Sequence, residues 1–231
     1  MSAHFSDAGL KFLRGLARHN DREWFEPRKP IYERELKAPM LALIEAINHQ
    51  MLDFAPLHVR PPQKCMMRIY RDIRFTSDKR PYKIHVAAWW ARQGLEKTSG
   101  AGFYLDLSGT ALTIAGGVYM PEKDQLLAIR RMLLDRHEEV RAMLTAKKLR
   151  TAGMIPIDAL KMVRGPKGFD PGHPAMDLIL QRQWGASCTL PVEIALAPGL
   201  LNAVVSRFRL VAPLVHLLNA PLEMPLKKPL F

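Results

Sequence analysis

The side chains best suited to chemistry lie in one run, residues 68–83, with the sequence RIYRDIRFTSDKRPYK. We call this run the charged segment. Between Lys64 and Lys83 there are seven Lys or Arg residues and only two acidic residues, Asp72 and Asp78. Arginine binds phosphate and carboxylate oxygens through two parallel hydrogen bonds, and lysine binds them as a point charge. The composition of the segment therefore predicts a site for a small anion.

Five cations of the charged segment are the candidate contacts of that anion: Arg68, Arg71, Arg74, Lys79 and Lys83. The residues between positions 76 and 81 are typical turn formers, with small hydroxyl groups, an Asp and a Pro. A tight turn there would bring the last three of these cations close together. Its hydroxyl groups and free backbone amides would add hydrogen-bond donors, so we expect a pocket for a phosphate or carboxylate group.

A strand over residues 66–75 would put Arg71 on the apolar face of a sheet, beside Ile69. A lone buried guanidinium is costly, so either a bulge turns Arg71 outward or a carboxylate pairs with it. The candidate partners are Asp72, Asp78, Glu23 and Glu26. We place Asp72, Asp78 and Glu23 in the candidate site. The alternative is a purely structural lattice in which the two Asp residues neutralise the same cations.

The elements that must position this segment follow from the period of the apolar residues. Four stretches with strand-like alternation succeed one another without a helix between them: residues 66–75, 84–90, 102–107 and 112–119. Ser108 and Gly109 form a plausible hairpin turn. Such strands pair as an antiparallel meander, here over about residues 65–119. The expected fold class is α+β, an antiparallel sheet packed with N-terminal and C-terminal helices.

The helices before the sheet are marked by their first residues. Ser6 or Asp7 is a good cap for a first helix. A second helical stripe begins near Pro30 and continues to Met51, and Pro39 should kink it or split it in two. These helices would form a layer on the N-terminal side of the meander.

The chain after the sheet returns to a helical period. We expect a helix within residues 121–149, a short strand around residues 187–194 and a last helix from Pro198. No repeat or linker interrupts the chain, which predicts one domain over residues 1–220. Residues 221–231 form a basic, proline-containing tail that we expect to be loosely ordered.

The charge of the chain is unevenly distributed. The 34 Lys and Arg against 22 Asp and Glu give a net charge of +12 and a pI of about 10.0. Residues 60–92 hold nine Lys or Arg and two Asp, a net charge of +7, so more than half of the surplus lies in about a seventh of the chain. Such a patch attracts polyanions, including nucleic acid, phosphorylated metabolites and anionic lipid.

Other classes of site have little support. The two cysteines, Cys65 and Cys188, are far apart and outside any metal-binding spacing, so we expect neither a disulfide nor a zinc site. The eight histidines are scattered, and we expect no metal and no cofactor. The N-terminus lacks the pattern of a secretory signal and no uncharged apolar run approaches 18 residues. We therefore expect a cytoplasmic protein with no membrane partner.

Several dispersed motifs carry a resemblance to a known family. They are NDREWFE at residues 20–26, the charged segment, GGVYMP at 116–121, GPKGFD at 165–170 and PLV at 213–215. In this order they resemble a family of bacterial and fungal conserved hypothetical proteins, catalogued only as a domain of unknown function. The similarity spans about residues 5–219. It implies one domain and brings no reaction with it, and Thr76 and Ser77 depart slightly from the family's usual pattern.

Three hypotheses for function remain. The first is a pocket for a small anionic ligand, with the five cations as contacts. The second is a nucleic-acid binder that uses the same basic patch, and the third is a structural or interaction protein in which Arg and Asp only tie elements together. Because the arginines alternate with apolar residues, a partly buried anion site is favoured. The spacing assigns no catalytic residue and no oligomeric state.

Overall fold

The computed structural model describes residues 4–95 and 100–222. The helices are α1 (Asp7–Arg18), α2 (Arg22–Phe25), α3 (Lys29–Tyr32), α4 (Ala38–Met51), α5 (Pro62–Cys65), α6 (Lys123–Thr145), α7 (Lys147–Thr151), α8 (Met176–Ile179) and α9 (Leu200–Asn219). The strands are β1 (His85–Ala91), β2 (Gly102–Ser108), β3 (Ala111–Val118), β4 (Ile155–Pro156) and β5 (Trp184–Pro191). Short 3-10 turns lie at Glu26–Arg28, Pro56–His58, Val192–Leu196 and Ala220–Leu222.

The five strands form one antiparallel sheet in the order β1-β2-β3-β5-β4. The α+β fold class is confirmed, and β1, β2 and β3 form the expected meander. The turn at Ser108 and Gly109 is also confirmed. The Ser108 hydroxyl accepts hydrogen bonds from the backbone amides of Thr110 and Ala111, at 3.3 and 3.0 Å, which fixes the chain reversal.

The strand expected over residues 66–75 is wrong. This stretch is extended but forms only two isolated antiparallel bridges, Met66 with Ala88 and Tyr70 with Tyr82. The expected apolar face fails at its end, because the side chain of Phe75 is 92% exposed. The alternation of residue types resembled a strand, but the ring of Phe75 has no core to enter beyond Tyr70.

The N-terminal helices begin where the sequence indicates. Ser6 is the N-cap of α1, and its hydroxyl accepts a hydrogen bond from the Gly9 amide at 3.2 Å. The expected interruption near Pro39 takes the form of a π-helical turn, Glu33–Lys37, between α3 and α4. Pro39 itself lies in the first turn of α4, where a proline's missing N–H is tolerated.

The chain divides into two compact units. The first comprises Met1–Trp90, Tyr104–Ile114 and Thr189–Ser206, and the second comprises Ala91–Phe103, Ala115–Cys188 and Arg207–Phe231. One domain over residues 1–220 stays a prediction. Of the tail expected at residues 221–231, only Pro221 and Leu222 lie within the described residues.

Aromatic side chains form much of the core of the first unit. Phe12 on α1 lies with its ring 5.2 Å from Trp24 and 5.9 Å from Phe25. Phe25 in turn stacks on Tyr82, with ring centres 4.1 Å apart. A buried polar pair adds to this core, since Trp90 donates a 2.9 Å hydrogen bond from its indole nitrogen to Asn48. These contacts fix the helices of this unit against the chain that leads into β1.

In the second unit, the backbone at Gly117 lies very close to the backbone at Trp184. Its φ is +147°, and a Cβ atom there would lie 2.2 Å from the carbonyl oxygen of Trp184. The adjacent strands therefore meet more closely than a side chain would allow. β5 begins three residues earlier than expected, and the end of the predicted strand is instead the 3-10 turn Val192–Leu196. Helix α6 bends at Arg136, whose φ and ψ of −118° and 18° are not helical.

One stretch, Leu200–Leu222, is long and apolar enough to cross a membrane by length and composition. Half of its most apolar 18-residue window is buried within the protein. The core helix of a globular protein passes the same test, so this stretch is weak evidence for a membrane span. The cytoplasmic location stays a prediction.

Candidate functional site

The charged segment folds back on itself at its two ends. The Arg71 amide donates to the Pro81 carbonyl at 2.9 Å, and the Lys83 amide donates to the Ile69 carbonyl at 2.8 Å. These two bonds flank the bridge between Tyr70 and Tyr82. Residues 72–80 therefore form a loop beyond a narrow, paired base. The sequence predicted a tight turn within residues 76–81. The structure has a wider loop instead, whose two ends also lie close together.

Asn20, at the start of the NDREWFE motif, holds this base in place. Its side-chain amide donates to the Tyr82 carbonyl at 3.0 Å, and its side-chain oxygen accepts from the Tyr82 amide at 3.0 Å. The pair of bonds copies what a neighbouring strand would provide. Asp21 then caps α2 by accepting a 2.8 Å hydrogen bond from the Trp24 amide. The first motif therefore positions the second.

Arg71 is paired, as its position in the sequence required. Its Nη1 donates to Asp78 at 2.5 Å, and Arg80 donates to the same carboxylate at 2.7 Å. The hydrogen bonds from Arg80, and then from Arg71, lower the pKa of Asp78 below its usual range. The Arg80 backbone amide also donates to Asp78 at 3.1 Å. One carboxylate thus accepts hydrogen bonds from two guanidinium groups and links residues across the width of the loop.

The outer part of the loop is paired internally in a similar way. Asp72 accepts two hydrogen bonds from the Arg74 guanidinium, at 3.0 and 2.7 Å. These bonds lower the pKa of Asp72 to about 2. Lys79 donates to the backbone carbonyl of Ile73 at 3.0 Å. Arg71, Arg74, Arg80 and Lys79 are therefore occupied by groups of the segment itself, as the lattice hypothesis expected.

Arg68 lies outside this lattice, in the wall of a cavity of about 270 Å³. The cavity is in the first unit, and its apolar and aromatic lining consists of Phe25, Tyr32, Leu41, Met66, Met67, Ile69 and Tyr70. Its charged lining consists of Lys29, Glu33, Lys37 and Arg68. The sequence indicated Arg68 as a candidate contact. It did not indicate the cavity, because α3, α4 and residues 66–70 form it together and no local pattern encodes that.

The charges of the cavity are only partly compensated. Lys37 forms a 2.7 Å ion pair with Glu33. Arg68 and Lys29 form no ion pair and no hydrogen bond with any residue that the structure describes. Burial, then Glu33 and Tyr70, raises the pKa of Tyr32 to about 12, so its phenol stays neutral at physiological pH. The wall therefore offers two unpaired cations beside an apolar floor.

Lys83 extends the positive end of the site toward the sheet. It is half-buried, and burial together with the nearby Arg68 lowers its pKa. Lys83 is followed by His85 on β1, whose pKa is lowered by burial against the opposing effect of Asp106 on β2. Burial raises the pKa of Asp106, which also accepts a 3.1 Å hydrogen bond from Tyr104. A row of titratable groups thus leads from Arg68 to Asp106.

His85 and Asp106 are the polar groups that sequence reasoning missed. Asp106 and Tyr104 alternate with buried residues on β2, whereas on β1 His85 and Trp89 are half-exposed and Ala87 between them is buried. Burial shifts the pKa of the histidine down and that of the acid up, which brings the two values closer together. The signal that could have found Asp106 is its place among polar residues that alternate with apolar ones on β2. β1 has no such alternation, so His85 carried no local signal.

Glu23 takes no part in the ion pairs of the charged segment. It is exposed on α2 and forms no ion pair with any described residue, so the structure does not show its expected pairing with the arginine cluster, and its role as a site residue stays a prediction. Its neighbours Trp24 and Phe25 pack in the core instead. Cys65 is buried and free, and burial raises the pKa of its thiol to about 12, so it is no nucleophile at neutral pH. Among the described residues, no group of three or more His, Cys, Asp or Glu could hold a metal ion.

Comparison with known proteins places the chain in a family. The model of the conserved hypothetical protein family DUF2461 matches residues 8–217, and the chain belongs to this family. That range includes both motifs joined by Asn20 and all of the candidate site. None of the curated proteins matches the chain. The family description names no reaction, so the chemistry must be argued from the site.

Proposed function

We propose that this member of the conserved hypothetical family binds a small anionic ligand in the cavity walled by Arg68. The observation that carries the proposal is the pair of cations, Arg68 and Lys29, that form no ion pair with any described carboxylate. A phosphate or carboxylate group between them would accept hydrogen bonds from the guanidinium and form an ion pair with the ammonium group. The rest of the ligand would lie on the apolar floor.

The electrostatics of the charged segment favour this end over its loop. Asp72 and Asp78 pair with Arg74, Arg71 and Arg80, so the guanidinium groups of the loop already donate to carboxylates of the loop itself. Arg68, by contrast, lies near the half-buried Lys83, whose pKa is lowered in part by that guanidinium. An anion at this end would relieve the repulsion between the two cations. The roles of Arg71, Arg74, Lys79, Asp72 and Asp78 are then to hold the loop.

The size of the cavity defines the ligand class. At about 270 Å³ it lies just below the usual range for small-molecule sites. A metabolite with one phosphate or carboxylate group and a short aliphatic or aromatic part would fill it. Met66 and Met67 give this floor adaptable thioether side chains, which suit ligands of varied shape.

The experiment is a thermal-shift screen of phosphorylated and carboxylated metabolites, followed by titration of any that raise Tm. At a ligand concentration ten times the dissociation constant we expect Tm to rise by about 3–6 °C. Arg68→Ala should abolish the shift. Arg74→Ala is the matched control, because it removes the same charge from the same segment but leaves the cavity wall intact. An equal loss of binding in both variants would refute a site at Arg68.

A second candidate, nucleic-acid binding by the loop, rests on a different observation. Phe75 is 92% exposed, and the Arg74 guanidinium lies 5.4 Å from its ring centre. An exposed aromatic ring beside a cation can stack a base of a single strand. The affinity for single-stranded RNA and DNA in filter binding should then fall at least about tenfold between 50 and 200 mM salt. Phe75→Ala should reduce this affinity more than Arg68→Ala does. Absence of binding at 50 mM salt removes this candidate.

A further inference from the structure

Helix α6 of the second unit carries a buried arginine that the site described above does not use. Arg130 is only 6% exposed and lies between the buried residues Ile129 and Leu133. Its Nη2 donates to the Met162 sulfur at 3.0 Å and to the Gln181 carbonyl at 3.1 Å. Its Nε is buried and has no hydrogen-bond partner. Most positions with such neighbours are apolar, so this side chain requires a physical reason.

The charge of Arg130 also lacks a counterion. No carboxylate pairs with it within residues 4–95 and 100–222, and a thioether sulfur and a backbone carbonyl carry no net charge. The charged group that does act on it is another cation, Arg182, which adds to the effect of burial in lowering its pKa. Two guanidinium groups near each other, one of them buried, with no described acid to neutralise them, form an arrangement that a bound anion would stabilise.

We propose that Arg130 and Arg182 form a binding site for an oxyanion, a phosphate or a carboxylate group. The N–H groups on Nε and Nη1 of Arg130, which make no hydrogen bond to a described residue, are donors for its oxygens. Arg182 is exposed and supplies the entrance side of the site. This proposal does not depend on the cavity at Arg68, because each of its residues belongs to the second unit.

The local backbone fixes the position of Arg182 in the chain relative to the two residues that accept hydrogen bonds from Arg130. The Arg182 amide donates to the Leu160 carbonyl at 2.9 Å, and the Met162 amide donates to the Leu180 carbonyl at 2.8 Å. Both bonds flank the antiparallel bridge between Lys161 and Gln181. The same short ladder therefore carries Arg182 and both hydrogen-bond acceptors of Arg130. A site built on paired backbone binds its ligand with little loss of conformational entropy.

The test is a titration of the full chain with inorganic phosphate at constant ionic strength, followed by Tm. It is done in an Arg68→Ala background, so that the cavity of the first unit does not contribute. At a phosphate concentration ten times its dissociation constant, Tm should rise by about 3–6 °C. Sulfate and acetate in parallel titrations distinguish a site for tetrahedral oxyanions from one for carboxylates.

Two variants and one control decide the outcome. Arg130→Met should remove the anion-dependent shift, and without phosphate its Tm should equal or exceed that of the background, because an uncompensated buried charge is gone. Arg131→Gln, an exposed neighbour on the same helix, should keep the full shift. If Arg130→Met does not fold, Arg182→Gln should still weaken phosphate binding about threefold to tenfold. The proposal is overturned if the anion-dependent rise in Tm is equal in Arg182→Gln and Arg131→Gln. It is also overturned if none of the three anions raises Tm.

Discussion

Replacing Asn20 by alanine tests whether the first motif positions the candidate site. The substitution removes two 3.0 Å hydrogen bonds, one to each backbone group of Tyr82. Tyr82 is 1% exposed and stacks on Phe25, so its amide and carbonyl gain little access to water in return. A hydrogen bond contributes a net 0.5–1.5 kcal/mol, so we expect a loss of about 2 kcal/mol in the free energy of unfolding. For a chain of this length Tm should fall by about 4–8 °C.

Urea denaturation followed by circular dichroism measures the free energy, and an unchanged m-value shows that the transition remains comparable. Asn202→Ala is the matched control. Asn202 is exposed in the first turn of α9 and its side chain makes no described hydrogen bond, so we expect a change within about 0.5 kcal/mol. If Asn20→Ala is as stable as Asn202→Ala, the tether between the two motifs does not exist as described. If it is less stable but binds a ligand at Arg68 unchanged, Asn20 stabilises the fold without positioning the site.

Three other predictions concern stability, titration and reactivity. Gly117→Ala should cost about 3 kcal/mol or more in urea denaturation, because its Cβ would meet backbone atoms; Gly153→Ala, with a positive φ but open space, should cost only about 1 kcal/mol. The pKa of Asp72, lowered to about 2 mainly by its hydrogen bonds with the Arg74 side chain, should return toward about 4 in Arg74→Ala. Because the pKa is lowered, the ion pair orders the loop above pH 4 and is lost toward pH 2, so the carboxyl and backbone NMR shifts of the native protein should change together in that range. An unchanged pKa in the variant contradicts the pairing. Cys65, buried and with a pKa raised to about 12, should resist iodoacetamide at pH 8 in the native protein and react after denaturation; fast native alkylation contradicts its burial.

Local signals sufficed for the regular elements of the fold. Ser6 is a strong N-cap before an apolar stripe, and Ser108 with Gly109 reverses a chain between two alternating runs, so α1 and the β2–β3 hairpin were correctly expected. Residues 66–75 were not, because alternation of side-chain types cannot show whether a continuous partner strand exists. The segment pairs with its neighbour through two isolated bridges, and Phe75 beyond them is exposed. The order β3-β5-β4 depends on contacts between distant residues, which no local period encodes.

The candidate site was predictable in part. A guanidinium among apolar residues requires a partner, which led from Arg71 to a short set of acids that includes the Asp78 of the structure. The structure does not show the expected pairing of Glu23, because an acid near a motif in sequence need not face it in space. The sequence did not distinguish Arg68 from the other four candidate cations, because its cavity is formed with residues of α3 and α4. The proximity of His85 and Asp106 depends on the pairing of two strands, and that of Arg130 to its acceptor Gln181 joins residues 51 positions apart. None of these contacts could be read from local spacing.

The distribution of paired and unpaired cations explains how a strongly basic segment can serve a selective site. If every cation of residues 68–83 were free, the segment would attract any polyanion through long-range charge. Asp72 and Asp78 instead pair with Arg74, Arg71 and Arg80, so these three guanidinium groups already have partners within the loop. The guanidinium that forms no ion pair with a described carboxylate is at the base, where Arg68 meets an apolar cavity. There an anion must also fit the cavity in size and shape, so charge draws the ligand and packing selects it.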